Sequence, residues 1–329
     1  MRSRITNDIS TVRRAALGRT LIIANPAAQS GAGKQTAERL QRFLALHHHD
    51  GASFELIYTK RPGHAAELAA EACGYESVLA LGGDGVVHEV ANGLMRIDAA
   101  RRPSLGVVPV GSGNDFARTL GLKDYTGSDF ARYLTCERVP FDVGRITYRP
   151  AATEGKLVEH FVQTLSFGLD AAVALGTVDL RARVPLSGMS LYVLSGADVF
   201  LRTFRPYPAQ VAIDGDAPRK LRTFLMAIQL GPTYGSGFLV CPDADPTDGR
   251  FDLCYASGRA SRLHALALLL RAKRGHHTRS HLIHITTARR VELAFERDDY
   301  PIQADGERIR ARSMTVDLLP GALTVLRPL

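Results

Sequence analysis

The chain has 329 residues, 45% of them hydrophobic and 22% charged, which excludes a largely disordered chain and suits two domains. Its four cysteines, Cys73, Cys136, Cys241 and Cys254, form no C-x-x-C pair, which excludes a disulfide scaffold and a zinc ribbon and fits a reducing compartment; no apolar run approaches the ~20 residues of a spanning helix. Lysine and arginine total 41 against 33 acidic residues, and the net charge of +8 points to an anionic partner: nucleic acid, a membrane surface or a nucleotide.

Residues 1–19 hold Arg2, Arg4, Arg13, Arg14 and Arg19 without periodicity and read as a flexible basic arm, with a transit peptide as the alternative. No secretory h-region follows Met1. From Thr20 the pattern is regular. A buried strand at Leu21–Ala24 leads through a turn-rich stretch into a helix over Lys34–Leu46, and strand Phe54–Tyr58 leads into helix Gly63–Cys73. Strand Ser77–Leu81 passes through Gly82-Gly83-Asp84-Gly85 into a helix, and Leu105–Val110 passes through Gly111-Ser112-Gly113 into another. Repeated strand–turn–helix units predict a parallel, doubly wound α/β domain over 20–139, with ligands at the carboxyl ends of the strands. After about Pro140 the rhythm changes to short strands, among them Arg145–Tyr148, Val158–Leu165 and Ile302–Ala304, broken by helices at Asp170–Arg183, Met189–Arg202 and Arg262–Ala272. This predicts a β-sandwich-like domain over 140–329, whose last strands, about 312–329, pack back on the first.

Two glycine turns at neighbouring strand ends set two groups of backbone donors at one rim, and a helix N-terminus there favours phosphate. Asp84 within such a turn makes sense as a metal-orienting or proton-accepting carboxylate, or as a plain N-cap. The stretch Asn25–Lys34 is not a P-loop: Ala28 and Gln35 stand where glycine and Ser or Thr are required. G-x-G-x-x-G fails as well, since Thr36 and Phe116 occupy the last glycine positions. In the second half, Asp243–Arg250 is an oxygen-rich turn able to hold a divalent cation or to be a plain hairpin loop. Gln303–Glu307 sets two carboxylates around a glycine at a strand end, where Asp-Gly is also a hairpin signal. His276, His277, His281 and His284 approach metal spacing without an acid or cysteine in the same stretch.

Taken together, these motifs resemble the diacylglycerol kinase catalytic-domain family of lipid kinases, which includes bacterial diacylglycerol kinases, sphingosine kinases and ceramide kinases. The resemblance rests on Asn25-Pro26 with Ser30-Gly31 and Gly33, Thr59, Gly82–Gly85 through Glu89 and Asn92–Leu94, Gly111–Arg118, Phe141–Gly144, the Asp245–Gly249 turn and Asp305–Glu307. These run in family order from residue 20 to the end. The Gly-Gly-Asp-Gly turn alone is shared with NAD kinases and phosphofructokinases, whose α/β fold the first domain is expected to share.

The resemblance implies ATP between the domains, contacted at Asn25, Thr59, Gly83, Asp84, Gly85, Val86, Glu89, Gly111, Ser112 and Asn114. It also implies Mg²⁺ at the acidic turn, held by the Asp248 carboxylate and the carbonyls of Asp245 and Arg250. Glu307 matches the proton acceptor of bacterial members and Asp84 that favoured in sphingosine kinases; Asp142 and Asp305 match further acids of the cleft. Two departures stand out. Val86 replaces a usual threonine, and Ala172 occupies the acidic position of sphingosine kinases, with Asp170 two residues earlier.

The implied reaction is transfer of the γ-phosphoryl group of ATP to a hydroxyl of a diacylglycerol-like or sphingoid lipid. An NAD kinase-like soluble enzyme and a non-catalytic membrane-binding protein are the alternatives. The apolar stretch Leu186–Phe204, with Arg181, Arg202 and Arg205 nearby, reads as core or as a lipid pocket and membrane-facing helix. The expected partners are a membrane lipid and an anionic membrane surface, approached peripherally from the cytoplasm, with a homodimer left open. Nucleic acid is not expected, for want of an aromatic-studded basic groove.

Overall fold

A computed structural model describes the chain except residues 1–13, 16, 48–50, 123–128, 151–154, 182–193, 197, 201–203, 259 and 329. The first half alternates β1 (Arg19–Ala24), α1 (Ala28–His47), β2 (Ser53–Tyr58), α2 (His64–Ala70), β3 (Ser77–Gly82), α3 (Asp84–Leu94), β4 (Ser104–Pro109) and α4 (Asp115–Thr119). The strands pair in parallel in the order β4-β3-β1-β2, with Ile22 opposite both Leu56 and Leu79. Every residue of β3 and β4 is buried, as strands covered on both faces must be. α1 sets Ala37, Leu40 and Leu44 against Ile22, Leu79 and Leu81, while α2 and α3 cover Leu21, Ile23, Val78 and Ala80 on the other face. The expected doubly wound sheet is present.

The second half begins at β5 (Cys136–Tyr148) and continues through β6 (Leu157–Phe161), β7 (Thr164–Gly168), α5 (Leu169–Arg181), β8 (Tyr207–Ile213), β9 (Arg219–Thr223) and β10 (Leu225–Gln229). It ends with β11 (Phe251–Ala256), α6 (Arg262–Ala272), β12 (Ile283–Ala288), β13 (Arg290–Phe295), β14 (Ile302–Ala304), β15 (Glu307–Arg308) and β16 (Ser313–Pro328). One sheet runs β12-β11-β10-β7-β14-β15; the other runs β9-β8-β13-β16 and continues into β4. Their inner faces meet at Phe161, Phe167, Phe251, Leu293 and Val316, the core of the β-sandwich-like half. β16 carries the larger sheet across the molecule, antiparallel to β5 from Met314↔Tyr148 to Pro328↔Cys136 and parallel to β4 at Val325↔Leu105.

Three sequence expectations are corrected. The strand expected at Arg145–Tyr148 extends back to Cys136 through Pro140, whose missing N–H is tolerated because only β16 pairs with it there. The strand expected over Val158–Leu165 is two strands in different sheets, because the amides of Val162, Gln163 and Thr164 turn aside to one carboxylate, that of Asp305. α1 begins earlier than Lys34, with a first turn broken by Gln29, Ser30 and Gly31 at φ 44°, 56° and 100°.

Most of the expected basic arm lies outside the described residues, although Arg14–Ala15 pair with Glu137 and Cys136, and Leu17 is buried. Leu186–Phe204 also lies largely outside them, as do Arg202 and the side chain of Arg181. Within the stretch, Leu194–Gly196 and Asp198–Phe200 are helical.

Candidate active site

The strand ends of the parallel sheet and the edge of the sandwich enclose a cleft of about 1280 Å³. Its floor is the two glycine turns. Gly83 and Gly111 touch backbone to backbone, so a Cβ on Gly111 would stand 2.5 Å from the Gly83 Cα. No side chain fits there, which explains glycine at both positions. The strained start of α1 leans over the second turn, Gln29 Nε2 donating to the Gly111 carbonyl at 2.9 Å. α3 opens from the first turn; the Val86 and Val87 amides donate to the Gly83 carbonyl, which leaves the amides of Asp84 and Gly85, two residues that line the cleft, without an acceptor in the helix.

Asp84 fastens the two turns together. Its Oδ1 accepts the Phe116 amide at 3.2 Å, and its Oδ2 lies where a Cβ on Gly113 would be 2.7 Å away. Burial, then the neighbouring Asp115 carboxylate, pushes the Asp84 carboxyl up to about 7. A carboxyl raised on folding makes the folded state retain its proton longer than the unfolded chain, so stability falls as pH rises from about 4 to about 7. Asp84→Asn removes that loss. Its thermal midpoint should exceed the native one above pH 7 and lose the advantage near pH 4, as scanning fluorimetry across that range would read.

Across the cleft, Asp305 and Gly306 form the two-residue hairpin loop between β14 and β15, both at positive φ, 48° and 95°. The Asp305 carboxylate is buried and fully engaged. Oδ1 accepts the amides of Gln163 and Thr164 at 3.0 and 2.9 Å; Oδ2 accepts that of Val162 at 2.9 Å and meets His88 Nδ1 at 3.2 Å. His88 reaches Glu159 Oε1 with its other nitrogen at 2.9 Å. Burial alone would push His88 down, but the two carboxylates outweigh it and raise the imidazole to about 10, so it is a buried cation. This network fixes the hairpin against α3 and aims the next residue, Glu307. Glu307 Oε1 stands 3.8 Å from where a Cβ on Gly85 would be, exposed in the cleft, and among the described residues its carboxylate has no hydrogen-bond partner.

The cleft brings together Asn25, Thr59, Gly83, Asp84, Gly85, Val86, Glu89, Gly111, Ser112, Asp305 and Glu307. Glu89 also caps α2, accepting the amides of Gly63 and Ala65 at 2.8 and 3.0 Å, and so holds the rim that carries Lys60 and Arg61. Glu89→Ala should cost about 1 kcal/mol, a few degrees in the melting midpoint. Asn114 does not line the cleft. At φ 54° its Nδ2 donates to the Gly111 carbonyl, which shapes the turn from behind.

Asp142 and the acidic turn also stand away from the cleft lining. Asp142 is buried, accepting the amides of Gly249 and Gly321 at 2.8 and 2.7 Å, and thereby stitches the acidic turn to the bulge in β16. Asp245 Oδ1 accepts from Thr247, and Asp248 Oδ1 accepts the Arg250 amide at 2.9 Å. Among the described residues no three His, Cys, Asp or Glu side chains converge as a metal cluster.

Sequence reasoning passed over Asp115 as a site residue. Its buried carboxylate accepts the amides of Ser236 and Gly237, both at 2.8 Å, clamping a second-half loop onto the cleft. It also passed over the pair Asp170–Tyr234, in which the phenol donates at 2.5 Å and burial pushes the carboxyl up to about 6. Their partners lie more than sixty residues away, so no local pattern announces them. Tyr234 lines the cleft, as do Ala174 and Thr177 of α5. The opposite face of α5 contributes Ala172, Leu175 and Gly176 to a second pocket of about 500 Å³, completed by Phe204, Arg205 and Tyr207. Arg205 pairs with Asp299 and stacks over Tyr207 at 5.3 Å.

Comparison with known proteins identifies the family. Residues 19–146 match the family model described as the diacylglycerol kinase catalytic domain, and residues 163–327 match that of the YegS C-terminal NAD kinase beta sandwich-like domain. The chain is 30% identical over 324 residues to a diacylglycerol kinase of Mycobacterium tuberculosis, covering 96% of this chain and 97% of that one. It is 28% identical over 285 residues to a diacylglycerol kinase of Bacillus subtilis, covering 83% and 84%. A crystal structure of a diacylglycerol kinase from Bacillus anthracis superposes with TM-score 0.70 at 21% identity, covering 95% and 98%. The glycine turns, the Asp305–Glu307 hairpin and both domain matches thus place this chain in the diacylglycerol kinase catalytic-domain family of lipid kinases.

Proposed function

We propose that the protein transfers the γ-phosphoryl group of ATP to a hydroxyl of a diacylglycerol-like or sphingoid lipid, with Glu307 accepting the hydroxyl proton. The observation that carries this reading is the unengaged Glu307 carboxylate over the Gly-Gly-Asp-Gly turn, across the cleft from Asp84, which accepts the Phe116 amide, and next to Asp305, which accepts three amides. Phosphoryl transfer needs positioning and charge neutralisation more than covalent help. The Asp84 and Gly85 amides at the start of α3, the second glycine turn and Lys60 on the rim supply donors for phosphates, while Arg61 beside it is paired with Glu67. The acceptor O–H bond breaks to Glu307 as the new O–P bond forms and ADP leaves.

The second pocket takes an acyl or sphingoid chain, and α5 separates it from the reacting centre. Mg²⁺ fits the acidic turn by charge. Burial and then Asp248, Asp243 and Asp245 push the Asp252 carboxyl up to about 6, an excess of negative charge that a cation relieves. The Asp248 carboxylate and the carbonyls of Asp245 and Arg250 would hold the ion. It would supply charge neutralisation and a fixed turn shape, which Asp142 passes to β16.

The experiment is incubation of the purified chain with ATP and separate vesicles carrying diacylglycerol, a sphingoid base or ceramide, with NAD as a soluble alternative and the product identified by mass. A phosphorylated lipid supports the reading; phosphorylated NAD, or no product with any acceptor, overturns it.

A further inference from the structure

α6 presents two different faces. Ala265 and Leu268 are buried in the apolar cluster that also holds Leu169, Phe224 and Ala227, and Ala272 is buried on the same side. On the outer side Leu263, Leu266 and Leu270 are 80%, 38% and 67% exposed. Steps of three and four residues put these leucines on one stripe. An exposed apolar stripe on a preformed helix marks an interaction surface. This helix is preformed, its N-cap Ser261 accepting the His264 amide at 3.2 Å.

The surrounding charge identifies the occupant. From residue 253 to 291 the sequence contains no Asp or Glu. Arg271 and Arg274 are exposed at the end of α6, and Arg279 is exposed in the short turn after it. A leucine stripe on a segment whose own charged side chains are all cationic matches the boundary of an anionic bilayer, where apolar side chains enter the acyl edge and arginines meet phosphates.

The stripe is also tied to the cleft. Lys273, one residue past α6, donates to the Ser236 carbonyl at 2.8 Å and lies 5.0 Å over the Phe238 ring. Ser236 lines the cleft, and its amide is held by Asp115. A membrane reached by α6 therefore lies beside the cleft rim.

We propose that α6 docks the protein on an anionic lipid bilayer, with Leu263, Leu266 and Leu270 inserted and Arg271, Arg274 and Arg279 at the phosphates. The inference rests on the lipid-kinase reading only for its purpose. Its test uses no phosphoryl transfer, so the two fail separately.

The test is co-sedimentation with vesicles of phosphatidylglycerol and phosphatidylcholine lacking any acceptor lipid, compared with pure phosphatidylcholine vesicles. The native chain should bind the anionic vesicles and release from them at high salt. Leu263→Ser/Leu270→Ser should lower the partition coefficient by at least about tenfold. Arg271→Gln/Arg274→Gln should lower it by about fivefold per arginine. Both variants should melt within a few degrees of the native chain, as surface changes do. Native protein that ignores anionic vesicles, or variants that bind them as tightly as the native chain, would overturn the proposal. So would light scattering that shows a native dimer turned monomeric by the leucine changes with vesicle binding intact, since the stripe would then join two copies of the chain.

Discussion

Glutamine in place of Glu307 should lower phosphoryl-transfer turnover by about 10²–10⁴-fold while moving the thermal midpoint by no more than about 2 °C. The substitution keeps the size and removes only the proton-accepting charge. Glu307 is exposed in the cleft, so the fold spends nothing on holding it. KM for ATP should change little, because the phosphates are held by the glycine turns rather than by Glu307. Steady-state assay and scanning fluorimetry on the same preparation read both halves. A stable variant with native turnover would remove Glu307 from the reaction and leave Asp84 as the remaining carboxylate in reach of an acceptor.

Asp305→Asn should behave in the opposite way, with a loss of about 3–5 kcal/mol in stability and a midpoint lower by roughly 10 °C. The native carboxylate accepts three amides and pairs with His88. An asparagine there turns an NH₂ group toward a backbone N–H or toward the imidazolium, and a buried donor then faces a donor. His88 loses half of its compensation at the same time. The pH dependence has a defined sign. The folded-state pKa of His88 is raised to about 10 from the model-peptide value of 6.5, so its contribution is complete below pH 6.5 and disappears as pH rises toward 10. His88→Gln should therefore be most destabilising near neutral pH and below, with the gap to the native chain closing toward pH 10. A constant gap from pH 6 to 10 would mean that His88 is neutral in the folded chain. Turnover should fall in Asp305→Asn because the hairpin that aims Glu307 is loosened, and cooling should recover part of it. Glu307→Gln should show no such recovery.

Much of the first half was legible in the sequence because its information is local. Apolar runs of strand length followed by glycine turns and helical spacing fix a parallel sheet, and both turns fall at neighbouring strand ends, where the structure has them in contact. The loop from Asn25 to Gly33 was less legible. Gln29 and Ser30 adopt left-handed backbone although neither is glycine, at a cost of about 1–3 kcal/mol each that the surrounding packing must offset.

The second half hid its logic in long-range bonds. Asp305 takes amides 141 to 143 residues away and His88 lies 217 away, so an Asp-Gly hairpin signal gave no warning that the same aspartate splits one expected strand into two. Asp142 sat in a family motif that suggested the cleft, yet its two backbone partners make it a stitch between the acidic turn and β16. The outward leucines of α6 were readable only as a helix, because one buried face and one exposed apolar face have the same spacing in the sequence until packing distinguishes them.

The most direct measurement follows the phosphorus. The purified chain is incubated with diacylglycerol-containing vesicles and ATP labelled at either the γ or the α phosphate, and the label is counted in the organic extract. Transfer of the terminal phosphoryl group to a lipid hydroxyl puts γ-label into the extract and no α-label, and Glu307→Gln reduces it by at least about a hundredfold. An extract that stays unlabelled with diacylglycerol and with a sphingoid base alike, or γ-label recovered only in a water-soluble acceptor such as NAD, would contradict the lipid-kinase reading.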